Sequence, residues 1–234
     1  MFALGIENSN PSAACQAGAA PATIAIAEIS ASAIRLVHRE VINTSNPYHD
    51  DLLSAIERAV AASGIPLSRL GSVAVSAGPG GYTAVRIGVT AAKFIAESTG
   101  AACVAVPTAL AVAHALAPRP EARLGVALAS KGETAWVTVV DQAAIAEGKL
   151  MDAHDLAATH LKVLVADQFL PTAFKEAAAA LNMQVVPPRF DALSVIDVGR
   201  SIPPVDPVHL SPIYPREPEA VIKWRELALK KSRG

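Results

Sequence analysis

The stretch Ala77-Gly78-Pro79-Gly80-Gly81-Tyr82-Thr83-Ala84-Val85-Arg86-Ile87-Gly88 constrains the fold of this chain more than any other. Residues 72–76 ahead of it read as a short buried strand, and three of the next five residues are glycine. Thr83 can then cap a helix that runs to Ser98 and closes at Gly100. A strand that ends in a glycine turn and opens straight into a helix is a joint of α/β folds. Chemically it has two uses. Free N–H groups at a helix start can face an anion such as a phosphate. Glycine equally serves a plain tight turn, where the backbone takes positive φ or approaches another segment closely.

Around this joint the chain alternates regularly. Strands are expected at 2–6, 23–29 and 34–41, separated by turn-rich stretches such as Asn8-Ser9-Asn10-Pro11-Ser12. A helix over 49–63 follows, with Leu52, Leu53, Ile56, Ala59 and Val60 at the spacing of one helical face and Gly64 as its C-cap. The order of the first part is therefore βββαβα. A strand at 102–105 and a helix at 107–117 come next, then a break at Pro118-Arg119-Pro120. Beyond it we expect a hairpin of 123–129 and 134–140, a strand at 162–166, helices at 171–182 and 191–201, a proline-rich loop or edge at 202–218 and a last helix at 217–231. No tandem repeat of short period is present.

The helix over 83–98 is unusual in its polarity. Arg86, Thr90, Lys93 and Glu97 form one narrow polar stripe, and nearly everything else on it is apolar or small. Covering a single sheet needs an apolar stripe of only about 100°. A second surface, either another domain or another protein, should therefore cover this helix.

Composition narrows the chemistry. With 52% apolar residues but only 4% aromatics in 234 residues, alanine and valine must fill the core, and backbones must pack closely. A formal net charge of −1 gives no global attraction for nucleic acid, so an RNA, if one is involved, is held by a partner. Cys15 and Cys103 stand in no metal or redox spacing. There is no basic region ahead of an N-terminal apolar run, and the apolar stretch 101–117 is interrupted by Pro107, Thr108 and His114. The expectation is a soluble, cytoplasmic protein.

Among the six histidines, no two stand at i, i+4, which removes the helical zinc pair. No Gly-x-Ser-x-Gly elbow, Walker lysine motif or Gly-x-Gly-x-x-Gly fingerprint occurs. His49, beside Asp50 and Asp51, fits a histidine near a helix start as well as a catalytic one. Glu7-Asn8-Ser9, directly after the first strand, can reach a nucleotide phosphate or its magnesium, or form an ordinary Asx or Ser turn.

The segment from Gly78 to Gly88, with Lys93 five residues on, closely resembles the Gly-Pro-Gly-Ser-Phe-Thr-Gly-Leu-Arg-Ile-Gly signature of the TsaB (YeaZ) family, the small bacterial partner proteins of threonylcarbamoyladenosine synthesis. Glu7-Asn8-Ser9 falls where that family shows Asp-Thr-Ser, and residues 49–56 where it shows His-Ser before a Leu-Leu-Pro helix. Ser68-Arg69-Leu70, residues 131–136 and Pro212-Ile213-Tyr214-Pro215-Arg216 also fall at familiar places. The resemblance touches most of the chain, and the glycine segment is its specific part.

The resemblance implies an actin-like or sugar-kinase-like (ASKHA) fold of two α/β domains, residues 1–106 with 210–234 returning to them, and a smaller domain of 107–209. It implies a non-catalytic partner subunit that binds and activates the catalytic subunit TsaD, works with the ATPase TsaE, meets tRNA only through the complex and can pair with itself. The resemblance aligns the His-x-x-x-His metal pair of TsaD with Thr108 and Val112, so neither metal nor catalytic residues are expected. No cofactor is expected, with ATP entering only at the level of the complex. The partner interface is expected on the first two helices, at Leu52, Leu53, Ile56, Val60, Val85, Val89, Ala92 and Ala96. A nucleotide or phosphate, if held, would meet Glu7, Ser9, Gly78, Gly80, Gly81 and Thr83. The departures are Glu7-Asn8-Ser9, one methylene longer at the carboxylate and without the threonine, and Ala129-Ser130 in place of Asp-Ala. An ATP-binding phosphotransferase or ATPase of the same fold is the rival reading, and the old glycoprotease label fails for want of metal ligands.

Overall fold

Strand β1 (Phe2–Glu7) shows how this chain builds its first layer. Leu4 and Ile6 point to one face, together with Ile24 and Ile26 of β2 (Thr23–Ile29) and Val73 and Val75 of β4 (Leu70–Ser76). Between them Ala3, Ala25, Ala27 and Ala74 point to the other face. This is the period-2 alternation of a strand, except that the alternate residues are small instead of polar. Both faces are therefore covered, the large-residue face by side chains and the small-residue face by a closely approaching helix.

The computed structural model describes residues 1–13, 22–43, 51–116, 123–141, 148–217, 221 and 223–225. With β3 (Ile34–Val41) and β5 (Ala102–Val106), the first sheet has the order β3-β2-β1-β4-β5, in which β1, β4 and β5 are parallel and β2 and β3 antiparallel to their neighbours. Helices α1 (Leu52–Ser63) and α2 (Tyr82–Thr99) cover the large-residue face. Each ends at a left-handed glycine, Gly64 and Gly100, as the C-cap reading requires. The first lobe thus has the expected βββαβα order.

Helix α3 (Thr108–Ala115) leads to the second sheet, built from β6 (Leu124–Lys131), β7 (Thr134–Val140), β8 (Lys149–Met151), β9 (Val163–Ala166) and β10 (Gln184–Val186). Helix α4 (Thr172–Ala180) lies between β9 and β10, and α5 (Ala192–Gly199) follows. Read as β8-β7-β6-β9-β10, the second sheet repeats the order and strand senses of the first. A 3-10 turn at Asp155–Thr159 stands where the first lobe has α1. The molecule is a topological duplication that no residue pattern of the sequence reveals.

The last helices of the two lobes exchange places. Ala109, Val112 and Ala113 of α3 pack against Leu124, Val126 and Leu128 of the second sheet. Ala192, Val195 and Ile196 of α5 pack on the small-residue face of the first. Gly5 makes this possible, because a Cβ there would collide with the Ala192 carbonyl oxygen and sit 2.7 Å from Ile196 Cγ1. The expected assignment of 107–209 to the second domain is corrected accordingly: α5 lies in that stretch but belongs to the first sheet's core.

Other expectations shift slightly. Helix α2 begins at Tyr82 with Gly81 as its N-cap, so Thr83 lies inside the first turn and does not cap it. The edge strands β8 and β10 have three residues each, too few to show alternation. The final helix is described only at Val221 and residues 223–225, which are helical. His49, Cys15 and the break at 118–120 lie outside the described residues.

Candidate functional site

The glycine turn is packed from three sides. Gly78, at φ 106°, follows the strand and precedes Pro79 through a cis peptide bond. Its N–H donates to Thr108 Oγ1 at 3.1 Å, and its carbonyl accepts from Thr108 N at 2.8 Å. A Cβ on Gly78 would stand 2.6 Å from the Ile213 carbonyl oxygen, and one on Gly80 would collide with that of Ser9. Gly81 N donates to the same Ser9 oxygen at 2.8 Å. Two of the turn's N–H groups are thus spent on the protein itself, and Gly78 and Gly80 are required by close approach.

Glu7 and Ser9 are sealed beneath this turn. Both are fully buried, with Asn8 and Asn10 nearly so. Glu7 Oε1 accepts from Ser9 N at 2.8 Å and from Ser9 Oγ at 2.6 Å, and Asn10 Nδ2 donates to Ser9 Oγ at 3.0 Å. Burial pushes the Glu7 carboxyl above its ordinary range, opposed by the Ser9 and Ser76 hydroxyls and aided slightly by Asp191. Ser76 lies near enough to act electrostatically, but its hydroxyl pairs with Thr108 Oγ1 at 2.9 Å, and Glu7 Oε2 is left without a hydrogen bond. The Glu7 carboxyl thus braces the Ser9 turn that follows β1, with one oxygen bonded there and the other buried.

A cleft of about 880 Å³ opens between the lobes. Asn10, Gly80, Gly81 and Tyr82 line one side, Ala129, Ser130, Lys131, Asp167 and Phe169 the other, and Tyr214 to Glu217 run along it. The rings of Tyr82 and Tyr214 are 5.2 Å apart, and the Arg86 guanidinium stands 5.2 Å from the Tyr82 centroid. Burial raises the Asp167 carboxyl, against the Phe169 N–H it accepts at 2.9 Å and the charge of Lys175. Of the six residues expected around a phosphate, Gly80 and Gly81 line the cleft. Glu7 and Ser9 are buried below it, Gly78 packs on Ile213, and Thr83 lies on the α1–α2 groove.

That groove, of about 490 Å³, runs between α1 and α2 and is lined by Leu53, Thr83, Arg86, Ile87, Thr90, Ala91, Phe94 and Ile95. Phe94 is 72% exposed and Leu53 68%. The expected interface set is corrected here. Leu52, Ile56, Val85, Val89, Ala92 and Ala96 are buried in the first lobe's own core, Val60 is half-buried against it, and Leu53 alone of the eight is well exposed. Periodicity finds the apolar face that meets the sheet first. Phe94 escaped it because it stands on the polar stripe, four residues after Thr90 and three before Glu97, and an aromatic on a polar stripe was the available signal.

A family model described as TsaD, tRNA N6-adenosine threonylcarbamoyltransferase, matches residues 43–199. The chain belongs to the TsaD family. Among solved structures it is similar to an uncharacterized Pseudomonas aeruginosa protein with similarity to peptidase YEAZ, at 16% identity and a TM-score of 0.65, over 92% of this chain and 99% of that one. It is similar also to YeaZ from Pseudomonas aeruginosa, at 15% identity and a TM-score of 0.63, over 91% and 99%. No curated protein matches. The two-lobed TsaD-family fold is thus the actin-like, sugar-kinase-like architecture, in the form shared with YeaZ, and the resemblance to the TsaB (YeaZ) family stands. Of the two residues that the resemblance sets at the place of a metal pair, Thr108 is bonded to Ser76 and Gly78, and Val112 is an apolar side chain in the core. Those residues do not fit a metal ion. Among the described residues no helix is long and apolar enough to cross a membrane.

Proposed function

We propose that this chain is a non-catalytic partner subunit of a tRNA threonylcarbamoyladenosine assembly, docking a TsaD-type transferase through the outer face of α1 and α2. The observation that carries this reading is the pair Leu53 and Phe94, two large apolar side chains held open to solvent beside an apolar groove. Burial of such side chains in a partner is worth about 1.5–3 kcal/mol each before the costs of association. Thr108 and Val112 support the non-catalytic part, since neither supplies a metal-binding nitrogen. On this reading TsaE and tRNA are met through the assembly, the free protein pairs with itself through the same face, and it works in the cytoplasm. It needs no cofactor of its own. Co-expression with the TsaD of the same cell tests it: a stable complex on size exclusion is expected, and two independent peaks at micromolar protein would overturn it.

The rival reading, ATP phosphotransfer or hydrolysis in the cleft, requires a carboxylate at the end of β1 that reaches metal-bound phosphate. Glu7 is buried and engaged by Ser9, which speaks against it. Calorimetry with ATP and magnesium decides between them, with no heat expected from the isolated chain.

A further inference from the structure

The segment 203–217 belongs to the first lobe along most of its length. Val205 N donates to Cys103 O at 2.8 Å, bridging the edge of β5. Lys93 Nζ donates to the carbonyls of Val208 and Leu210, each at 3.2 Å. Leu210 is buried in the first lobe's core, and Ile213 N donates to Ala77 O at 2.7 Å. Tyr214 then stacks on Tyr82.

Two residues later the segment changes lobes. The Arg216 guanidinium donates from Nη1 to Ala129 O and from Nη2 to Thr134 O at 3.1 Å and Thr134 Oγ1 at 2.7 Å. These oxygens belong to the β6–β7 hairpin at the point where its register shifts, between Leu128 and Lys131. Ala129 there has φ 52°, in the left-handed region that a non-glycine residue occupies only when its surroundings impose it. Ala129, Arg216 and Tyr214 all line the cleft.

On the α3–α5 side the lobes meet through apolar packing, with Ala111 of α3 and Val195 of α5 in one cluster. At the cleft, Gln168 Nε2 donates to Ser12 O at 3.0 Å, an exposed, neutral, single bond. The three-bond fork of Arg216 is charged, half-buried and planar, which makes it the stronger tie.

From this geometry we propose that segment 203–217 is a strap and Arg216 its latch, holding the β6–β7 hairpin to the first lobe and fixing the width of the cleft. Without the latch, the lobes swing apart about the α3–α5 layer. This inference does not depend on the partner role proposed above.

Hydrogen exchange and small-angle scattering on the full chain test it, with Arg216→Ala and Arg216→Lys. In Arg216→Ala, amides of 128–134 and 211–217 should exchange on the order of tenfold faster while those of β4 and α5 keep their wild-type rates, and the radius of gyration should rise. Arg216→Lys keeps the charge but loses the fork, and should release the same amides by a smaller factor. Wild-type exchange and scattering in both variants would overturn the proposal. If Arg216→Ala unfolds altogether, Arg216→Lys decides by the same local readout.

Discussion

The carbonyl oxygen of Ser9 lies directly against Gly80 and accepts the N–H of Gly81 at 2.8 Å, so the end of β1 and the glycine turn form one packed unit. A methyl group on Gly80 has backbone on its far side, which cannot yield as a flexible side chain would. Gly80→Ala should therefore destabilise the fold by roughly 2–3 kcal/mol, as overpacking does. Urea unfolding measures it, and a midpoint equal to wild type would mean that the turn has more room than this contact allows.

Glu7 should make stability fall as pH rises. Its folded carboxyl lies above the ordinary value of 4.5, so the native state holds its proton longer than the unfolded chain does. The native state is thus favoured most below that value and loses ground as pH climbs towards the folded one. Glu7→Gln keeps an uncharged acceptor and removes this loss. We expect its melting temperature to exceed wild type at pH 8 and to match it near pH 4.

The two faces of the α1–α2 layer should respond oppositely to charge. Leu53→Asp and Phe94→Asp replace exposed side chains and should leave stability within about 0.5 kcal/mol of wild type while abolishing the partner complex and self-association. Val89→Asp introduces a charge into the core and should prevent folding. Circular dichroism beside size exclusion separates the cases, and a complex that survives Leu53→Asp with Phe94→Asp would remove this face as the interface.

Ala129 offers a stabilising change. Its left-handed backbone costs an L-residue about 1–2 kcal/mol, and glycine avoids that cost at the expense of a more flexible unfolded chain. Ala129→Gly should gain about 0.5–1 kcal/mol with the Arg216 bonds intact, raising the melting temperature by about 2 °C. Calorimetric melting below wild type would show that the alanine methyl is needed for packing.

Local rules made much of this protein legible in its residues. The alternation in β1, β2 and β4, the caps Gly64 and Gly100 and the strand, turn and helix at Gly78 act over a few positions, so the βββαβα order follows from the chain alone. The low aromatic content foretold close packing, which appears where Gly5 admits the Ala192 carbonyl. The Gly78–Gly88 segment was enough to mark the family.

Tertiary structure decided what depended on partners far along the chain. Burial of Glu7 needs Ser9, Asn10 and the turn around Gly80 to close together, and no residue type announces that. Likewise, α5 chose the first sheet because small residues on three strands open one face to it, a surface that exists only once those strands are aligned. The sequence pattern could name α1 and α2 as apolar helices. Which apolar side chains would be spent on the helices' own sheet and which left open, as Val89 and Phe94 divide, was settled by where that sheet lies.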